Sequence, residues 1–238
     1  MLLRSLAYIL VQIVVTPVYS AVALLTFPFS ALTRYRIISS WSRLMVWVAE
    51  HVCGIRYRVL GAENIPSEPC IVLSKHESAW ETLAFQVIFP PQVWVVKREL
   101  LWIPFFGWGL AMLSPIAIDR SDGRRALRQT LEQGRARLAQ GFSIVIFPEG
   151  TRSAPGARGT YQAGGAWVAM QTGAPILPVA HNAGDHWPRN SFLKYPGMVT
   201  ISIGAPIHAR DEKAAELTRR LEHWIEQETR RIREDDQH

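Results

Sequence analysis

The stretch between Arg4 and Arg34 limits this chain's fold most. Its 29 residues, Ser5–Thr33, carry no charge, and Gln12 is the one strongly polar side chain among them. As a helix the run would reach roughly 44 Å at 1.5 Å per residue, against a bilayer core of about 30 Å. One tilted span fits and two do not. Pro17 and Pro28 interrupt the run, and a proline inside a helix kinks or ends it, so a re-entrant hairpin with arms of roughly 11 residues is a second arrangement. A cleaved signal peptide fits worse. Arg4 makes a thin basic flank, the apolar run is too long, and Val18-Tyr19-Ser20-Ala21 is a poor cleavage site. A buried core helix is the remaining alternative. Arg34, Arg36 and Arg43 follow at once and place the rest of the chain on the cytoplasmic side of the membrane. Ile38, Trp41, Leu44, Met45, Val48 and Val52 then recur at helical spacing. That helix could lie in the membrane interface or pack on the following domain.

Charge adds a second constraint. The 238 residues include 26 basic and 20 acidic side chains, for a formal net charge of +6. The excess lies in the middle of the chain, where a nucleic acid, an anionic membrane surface or an acidic substrate could each answer it. With 48% apolar residues the chain is not disordered. Cys53 and Cys70 are the only cysteines, too few for a disulfide framework or a four-cysteine zinc site. A cytoplasmic compartment follows as the default.

After Gly54 the pattern alternates. Strand-like runs fall at Ile55–Leu60, Cys70–Ser74, Val93–Lys97, Ile116–Ile118, Ser143–Phe147, Ile176–Val179 and Val199–Ile203. Helical patterns lie between them, near 79–88, 104–113, 123–139 and 163–172. Such alternation predicts one α/β domain, a sheet with helices on its faces. A last helix near 210–234 has an apolar stripe at Leu217, Leu221, Trp224, Ile225 and Ile232, with its charge runs facing solvent. We therefore divide the chain into residues 1–53, an anchor and interfacial helix, and residues 54–238, the α/β domain.

In an open α/β sheet the chemistry lies on loops at one edge. Four such loops carry reactive groups. The first is Ser74-Lys75-His76-Glu77-Ser78-Ala79-Trp80-Glu81-Thr82. A histidine held by a carboxylate makes a general base near neutral pH, and Glu81 or Glu77 could be the partner. Ser78-x-x-Glu81 is equally a helix capping box. The second is Phe147-Pro148-Glu149-Gly150-Thr151-Arg152-Ser153, a turn that could hold a polyol and an anion together. Its bland alternative is a surface turn with a local ion pair. The third is Ala117-Ile118-Asp119-Arg120, whose arginine either reaches the same edge or pairs with Asp119 or Asp122. The fourth is Lys97-Arg98-Glu99-Leu100, followed by Pro104-Phe105-Phe106-Gly107-Trp108. Cations beside an apolar aromatic stretch suit a charged headgroup with an acyl chain.

The sequence has no Gly-x-Ser-x-Gly elbow, no cysteine in a nucleophile motif and no phosphate-binding P-loop. His181, Asp185 and His186 cluster after a strand and offer a weak metal alternative. The basic run Arg124–Arg137 lacks any accompanying nucleic-acid motif and reads as a solvated or lipid-facing helix face.

Taken together, these loops resemble the lysophosphatidate acyltransferase family (1-acylglycerol-3-phosphate O-acyltransferases) of the glycerolipid acyltransferases. Four ordered motifs across about half the chain carry the resemblance. The family's His-x-x-x-x-Asp box corresponds to His76–Glu81. Its arginine motif corresponds to Ile118-Asp119-Arg120, its Phe-Pro-Glu-Gly-Thr-Arg-Ser motif stands intact at 147–153, and its proline-rich motif corresponds to Pro175-Ile176-Leu177-Pro178-Val179. One departure is Glu81 where the family has Asp.

The resemblance implies a mixed sheet flanked by helices and a transfer of an acyl group from acyl-CoA or acyl carrier protein to the sn-2 hydroxyl of 1-acylglycerol-3-phosphate. His76 would be general base with Glu81 holding its ring. Glu149 and Gly150 would contact the glycerol, Arg120 and Arg152, with Lys97 as a further candidate, would bind the phosphate, and Thr151 would belong to the same substrate site. No covalent intermediate, cofactor or metal is implied, and the enzyme would sit on the cytoplasmic face of the inner membrane. The same chemistry on another lysolipid, or a non-catalytic lipid-binding protein, are the competing readings.

Overall fold

In the computed structural model, residues 1–119, 122–209 and 212–236 are described. Helix α1 (Leu2–Leu25) runs straight through Pro17. The hairpin with two short arms is therefore not formed. Pro17 removes a single backbone donor, and α1 packs on the protein on both sides of it. The chain turns at 26–30, where Ser30 Oγ accepts the Thr33 N–H at 3.3 Å and starts helix α2 (Ala31–Cys53). Gly54, with φ of +75°, closes α2 by donating its N–H to Ala49 and Glu50 carbonyls. The inner face of α2 buries Tyr35, Ile38, Met45, Val46, Val48 and Ala49. Of the two arrangements open to this helix, the protein uses packing on the body.

Both ends of α1 dock on that body. Near its start, Ser5 Oγ accepts the Lys194 N–H at 3.0 Å. Tyr8 meets Trp187 edge to face at 5.1 Å. The Lys194 ammonium lies over both rings, at 4.7 and 4.3 Å from their centroids. Near its end, the Ser20 hydroxyl is 2.7 Å from the Phe105 carbonyl. The opposite face of α1 exposes Leu3, Leu6, Leu10, Ile13, Val14 and Val18, and Trp102, Phe105 and Trp108 are exposed beside it. This helix is long and apolar enough to cross a membrane.

All seven strands fall where the alternating pattern places them. They are β1 (Ile55–Leu60), β2 (Ile71–Ser74), β3 (Gln92–Lys97), β4 (Ile116–Ile118), β5 (Ser143–Ile146), β6 (Ile176–His181) and β7 (Gly197–Ile203). They form one sheet in the order β1-β7-β6-β2-β5-β3-β4. Every pairing is parallel except β6 with β7. The sheet is mixed, as expected. Its central strands β2, β5 and β6 are buried at every position, which is why they read as unbroken apolar runs. Helices α3 (Trp80–Ile88), α4 (Phe106–Met112), α5 (Gly123–Ala139), α6 (Gly164–Thr172) and the short α7 (Ala183–His186) connect them. Helix α8 (Ala214–Asp235) closes over β6 and buries Leu217, Leu221, Ile225 and Ile232 of its predicted stripe.

The topology has one consequence for chemistry. Strands β2, β5, β3 and β4 are adjacent and parallel, so their C-terminal ends open on one edge. The four motif loops follow these four ends.

The docking of α1 generates a test. Tyr8 is fully buried, and its hydroxyl has no hydrogen-bond partner among the described residues. Tyr8→Ala is expected to destabilise the protein by about 3–5 kcal/mol, the range for removing a buried aromatic ring. Tyr8→Phe is expected to be neutral or mildly stabilising, because it removes only an unpaired polar atom. Unfolding curves in detergent measure both.

Candidate active site

The β2–α3 loop bends so that one carboxylate oxygen organises it. Glu81 sits in the first turn of α3 and is fully buried. Its Oε1 lies 2.7 Å from His76 Nδ1. It also accepts the Ser78 N–H at 2.9 Å and the Glu77 N–H at 3.1 Å. The capping bonds of Glu81 and its contact with the His76 ring are therefore made by the same oxygen. The cap differs in one detail: α3 begins after Ala79, and Ser78 Oγ accepts the Trp80 N–H at 3.0 Å. Glu77, the other possible partner for His76, turns away from it.

Electrostatics favours the ionised form of Glu81. Burial by itself would raise the Glu81 carboxyl. The hydrogen bond from His76, with the Ser78 N–H adding to it, outweighs burial and holds the group below the usual carboxylate range. An ionised Glu81 only accepts hydrogen bonds. His76 Nδ1 is then the donor of this bond, and in the neutral form of the ring the lone pair lies on Nε2. Phe147 stacks on the imidazole at 3.9 Å and 12°.

The second motif supports the same histidine. Glu149 Oε1 accepts the His76 N–H at 2.9 Å, and the Ser153 N–H donates to the His76 carbonyl at 2.8 Å. Gly150, with φ of +70°, completes the turn that begins at Phe147. Gly159 leaves room for the Glu149 side chain, because a Cβ there would collide with its carboxylate. Burial raises the Glu149 carboxyl against the pull of the His76 N–H.

His76 opens on a cavity of about 670 Å³, within the range of small-molecule sites. Gly150, Thr151, Arg152 and Lys97 share its wall with His76. Leu100, Phe106, Leu110, Leu113 and Leu127 give it an apolar lining, and Gln12, Thr16, Tyr19 and Ser20 of α1 line another part. Of the expected site residues, His76, Glu81, Lys97, Glu149, Gly150, Thr151 and Arg152 are thus placed at one sheet edge. Glu149 is not among the lining residues, since one of its oxygens is spent on the His76 backbone. Arg120 lies outside the described residues.

The His181, Asp185 and His186 cluster has other work. His181 ends β6 rather than following it and is fully buried. Its Nε2 is 2.9 Å from the Lys75 carbonyl, and its Nδ1 accepts the Ala183 N–H at 3.2 Å. Burial lowers its pKa and keeps it neutral. Asp185 pairs with Arg233 at 2.8 Å. Sequence reasoning offered Glu77 only as an alternative partner for His76 and gave Lys75 no role. Lys75 and Glu77 are both completely buried, and both are tied to α8. The available signal was the placing of Glu226 and Arg233 next to Ile225 and Ile232, on the border of the apolar stripe of α8.

Comparison with known proteins identifies the family. The family model for acyltransferases matches residues 56–182. A 1-acyl-sn-glycerol-3-phosphate acyltransferase of Pseudomonas aeruginosa is 48% identical over 202 residues, 83% of this chain and 78% of that protein. One from Cocos nucifera is 27% identical over 229 residues, 94% of this chain and 71% of its own length. The crystal structure of the 1-acyl-sn-glycerophosphate acyltransferase of Thermotoga maritima superposes with a TM-score of 0.82 at 24% identity, covering 98% of this chain and 95% of that one. The chain belongs to the 1-acylglycerol-3-phosphate acyltransferase family.

Proposed function

We propose that this enzyme transfers a fatty acyl group from an acyl thioester, acyl-CoA or acyl carrier protein, to the sn-2 hydroxyl of 1-acylglycerol-3-phosphate, giving phosphatidic acid. The observation that carries the reading is His76, ring-locked by a buried carboxylate, at the mouth of an apolar cavity. Nε2 takes the proton of the substrate hydroxyl as its oxygen attacks the thioester carbonyl. The C–O bond forms, the C–S bond breaks, and Nε2 returns the proton to the departing thiolate. Glu81 stabilises the imidazolium in between. The acceptor itself is the nucleophile, so no covalent enzyme intermediate is needed.

The remaining residues take binding roles. Arg152 and Lys97 on the cavity wall, with Arg120 as third cation, hold the phosphate by charge and by the arginine fork. Gly150 and Thr151 flank the glycerol, and Glu149 keeps the His76 backbone in place. The apolar lining takes acyl chain. Residues 1–53 work as the membrane-facing part of the enzyme. Because both ends of α1 dock on the body, α1 lies along the membrane interface with its exposed apolar face in the lipid, rather than crossing as a lone span. The arginines at the start of α2 favour the cytoplasmic leaflet.

The direct test is thiol release from an acyl thioester by the purified enzyme in detergent. Release is expected to require lysophosphatidate and to fall by about 10²–10⁴-fold or more in His76→Ala. Acceptor-independent release would make the protein a thioesterase, and silence with every donor would leave a lipid-binding protein. Running both donors side by side identifies the physiological one.

Two further outcomes follow from the same geometry. Because Glu81 titrates below its ordinary value of 4.5, the stability it confers is complete above pH 4.5 and is lost as the pH falls through the lowered value. The difference in unfolding temperature between wild type and Glu81→Gln is expected to narrow only on that acid side. Ile13→Gln, on the exposed face of α1, should shift stability by less than about 0.5 kcal/mol. It should nevertheless weaken sedimentation with anionic vesicles.

A further inference from the structure

The loop that presents His76 is gripped from behind by the C-terminal helix, through contacts that none of the four motifs includes. Lys75 and Glu77, the two neighbours of His76, are both fully buried. Lys75 Nζ donates to Glu226 Oε1 at 2.6 Å and to the Ala157 carbonyl at 2.9 Å. The same Glu226 oxygen accepts the Tyr161 hydroxyl at 3.1 Å. On the other flank, Arg233 Nη2 donates to Glu77 Oε2 at 2.8 Å, while its fork also holds Asp185 at 2.8 and 3.1 Å. Glu226 and Arg233 stand seven residues apart on α8, which is about two helical turns and roughly 10 Å on one face.

These charges are an expensive way to attach a helix. Apolar residues of the same volume would hold α8 down as well, or better. What paired charges add is direction, because each hydrogen-bonded ion has few acceptable geometries. Here they fix the backbone immediately before and immediately after the reacting histidine to two points on one rigid rod. The Lys75 bond to Ala157 extends the grip to the 147–161 loop, whose Glu149 accepts the His76 N–H.

We propose that Glu226 and Arg233 make α8 a positioning element for His76, acting through Lys75 and Glu77 to set the bearing of the imidazole on Glu81 and on the cavity. Neither residue touches substrate. The inference rests on His76 as the proton acceptor of the transfer reaction. Small displacements of a reacting group are costly, with about 10²-fold lost for an error near 1 Å.

The test removes one clamp without leaving a buried charge behind. Lys75→Met combined with Glu226→Leu, made in a Tyr161→Phe background so that no hydroxyl loses its acceptor, replaces the ion pair by apolar side chains of similar size, a change that is often neutral for folding. In detergent, with lysophosphatidate and an acyl thioester, the double variant is expected to unfold near the wild-type temperature. Its kcat should be about 10- to 100-fold lower, with KM for both substrates within about threefold. Glu226→Gln, which still accepts from Lys75 and Tyr161, should recover most of that rate. A folded double variant with wild-type kcat would overturn the proposal.

Should the double variant not fold, Arg233→Lys decides the matter. It keeps the charge but has no planar fork to hold Glu77 and Asp185 together. A lowered kcat at unchanged KM is expected, and an unchanged kcat in this folded variant would equally overturn the inference. His76→Ala run alongside separates the two ideas. Full activity there defeats the mechanism itself, whereas an inactive His76→Ala beside fully active clamp variants defeats only the role of α8.

Discussion

A carboxylate taken out of water has to find donors, and Glu81 finds three of them at a single oxygen. One is the imidazole of His76, and the other two are backbone amides of the loop that leads into α3. The start of the helix, the shape of the loop and the orientation of the histidine are thereby one structural fact. The one departure from the family pattern keeps this arrangement supplied: Glu81, in the first helical turn, reaches back past Ser78 to the ring and to both amides.

Around that pair the fold supplies location. Parallel strands β2, β5, β3 and β4 bring loops distant in sequence to one edge, so that Glu149 can support a histidine 73 residues away. The cavity beside it is built partly from the N-terminal helices. Thr16 and Tyr19 of α1 line the same space as Arg152 and Lys97. A helix whose outer face is bare leucine, isoleucine and valine and whose inner face walls the cavity joins two environments. An amphiphilic substrate has the same division, with a charged end for the cations and chains for the apolar wall.

Much of the site could be read from the chain directly, and the reasons differ by residue. His76 and Glu81 were legible because their separation is short and helical geometry constrains it. The 147–153 turn was legible because its residue types are those a tight, anion-facing turn requires. The strands were legible because burial on both faces demands continuous apolar runs. Lys75, Glu77, Glu226 and Arg233 were not, because a charge in a polar stretch looks the same whether it faces water or a partner 151 residues away. Glu149 was legible as a site residue, but its bond to a backbone amide was not. His181 was misread for a related reason. The apolar run before it ends at Ala180 and polar residues follow from Asn182, so sequence put it just past the strand, while its neighbours in space make it the buried end of β6.

Sequence alone determined the local chemistry: which residues form strands and helices, which turn carries the arginine, and which histidine has a carboxylate within reach. Those are properties of spacing, and spacing is fixed by covalent geometry. Only the tertiary structure decided that the uncharged run is one helix as far as Leu25, docked at both ends, since Pro17 permits either continuation or a break and packing chooses between them. Only the tertiary structure decided, too, that the solvated-looking charges of α8 close around the loop that carries His76. Burial of an ion is settled by what lies opposite it, and that depends on how distant segments pack.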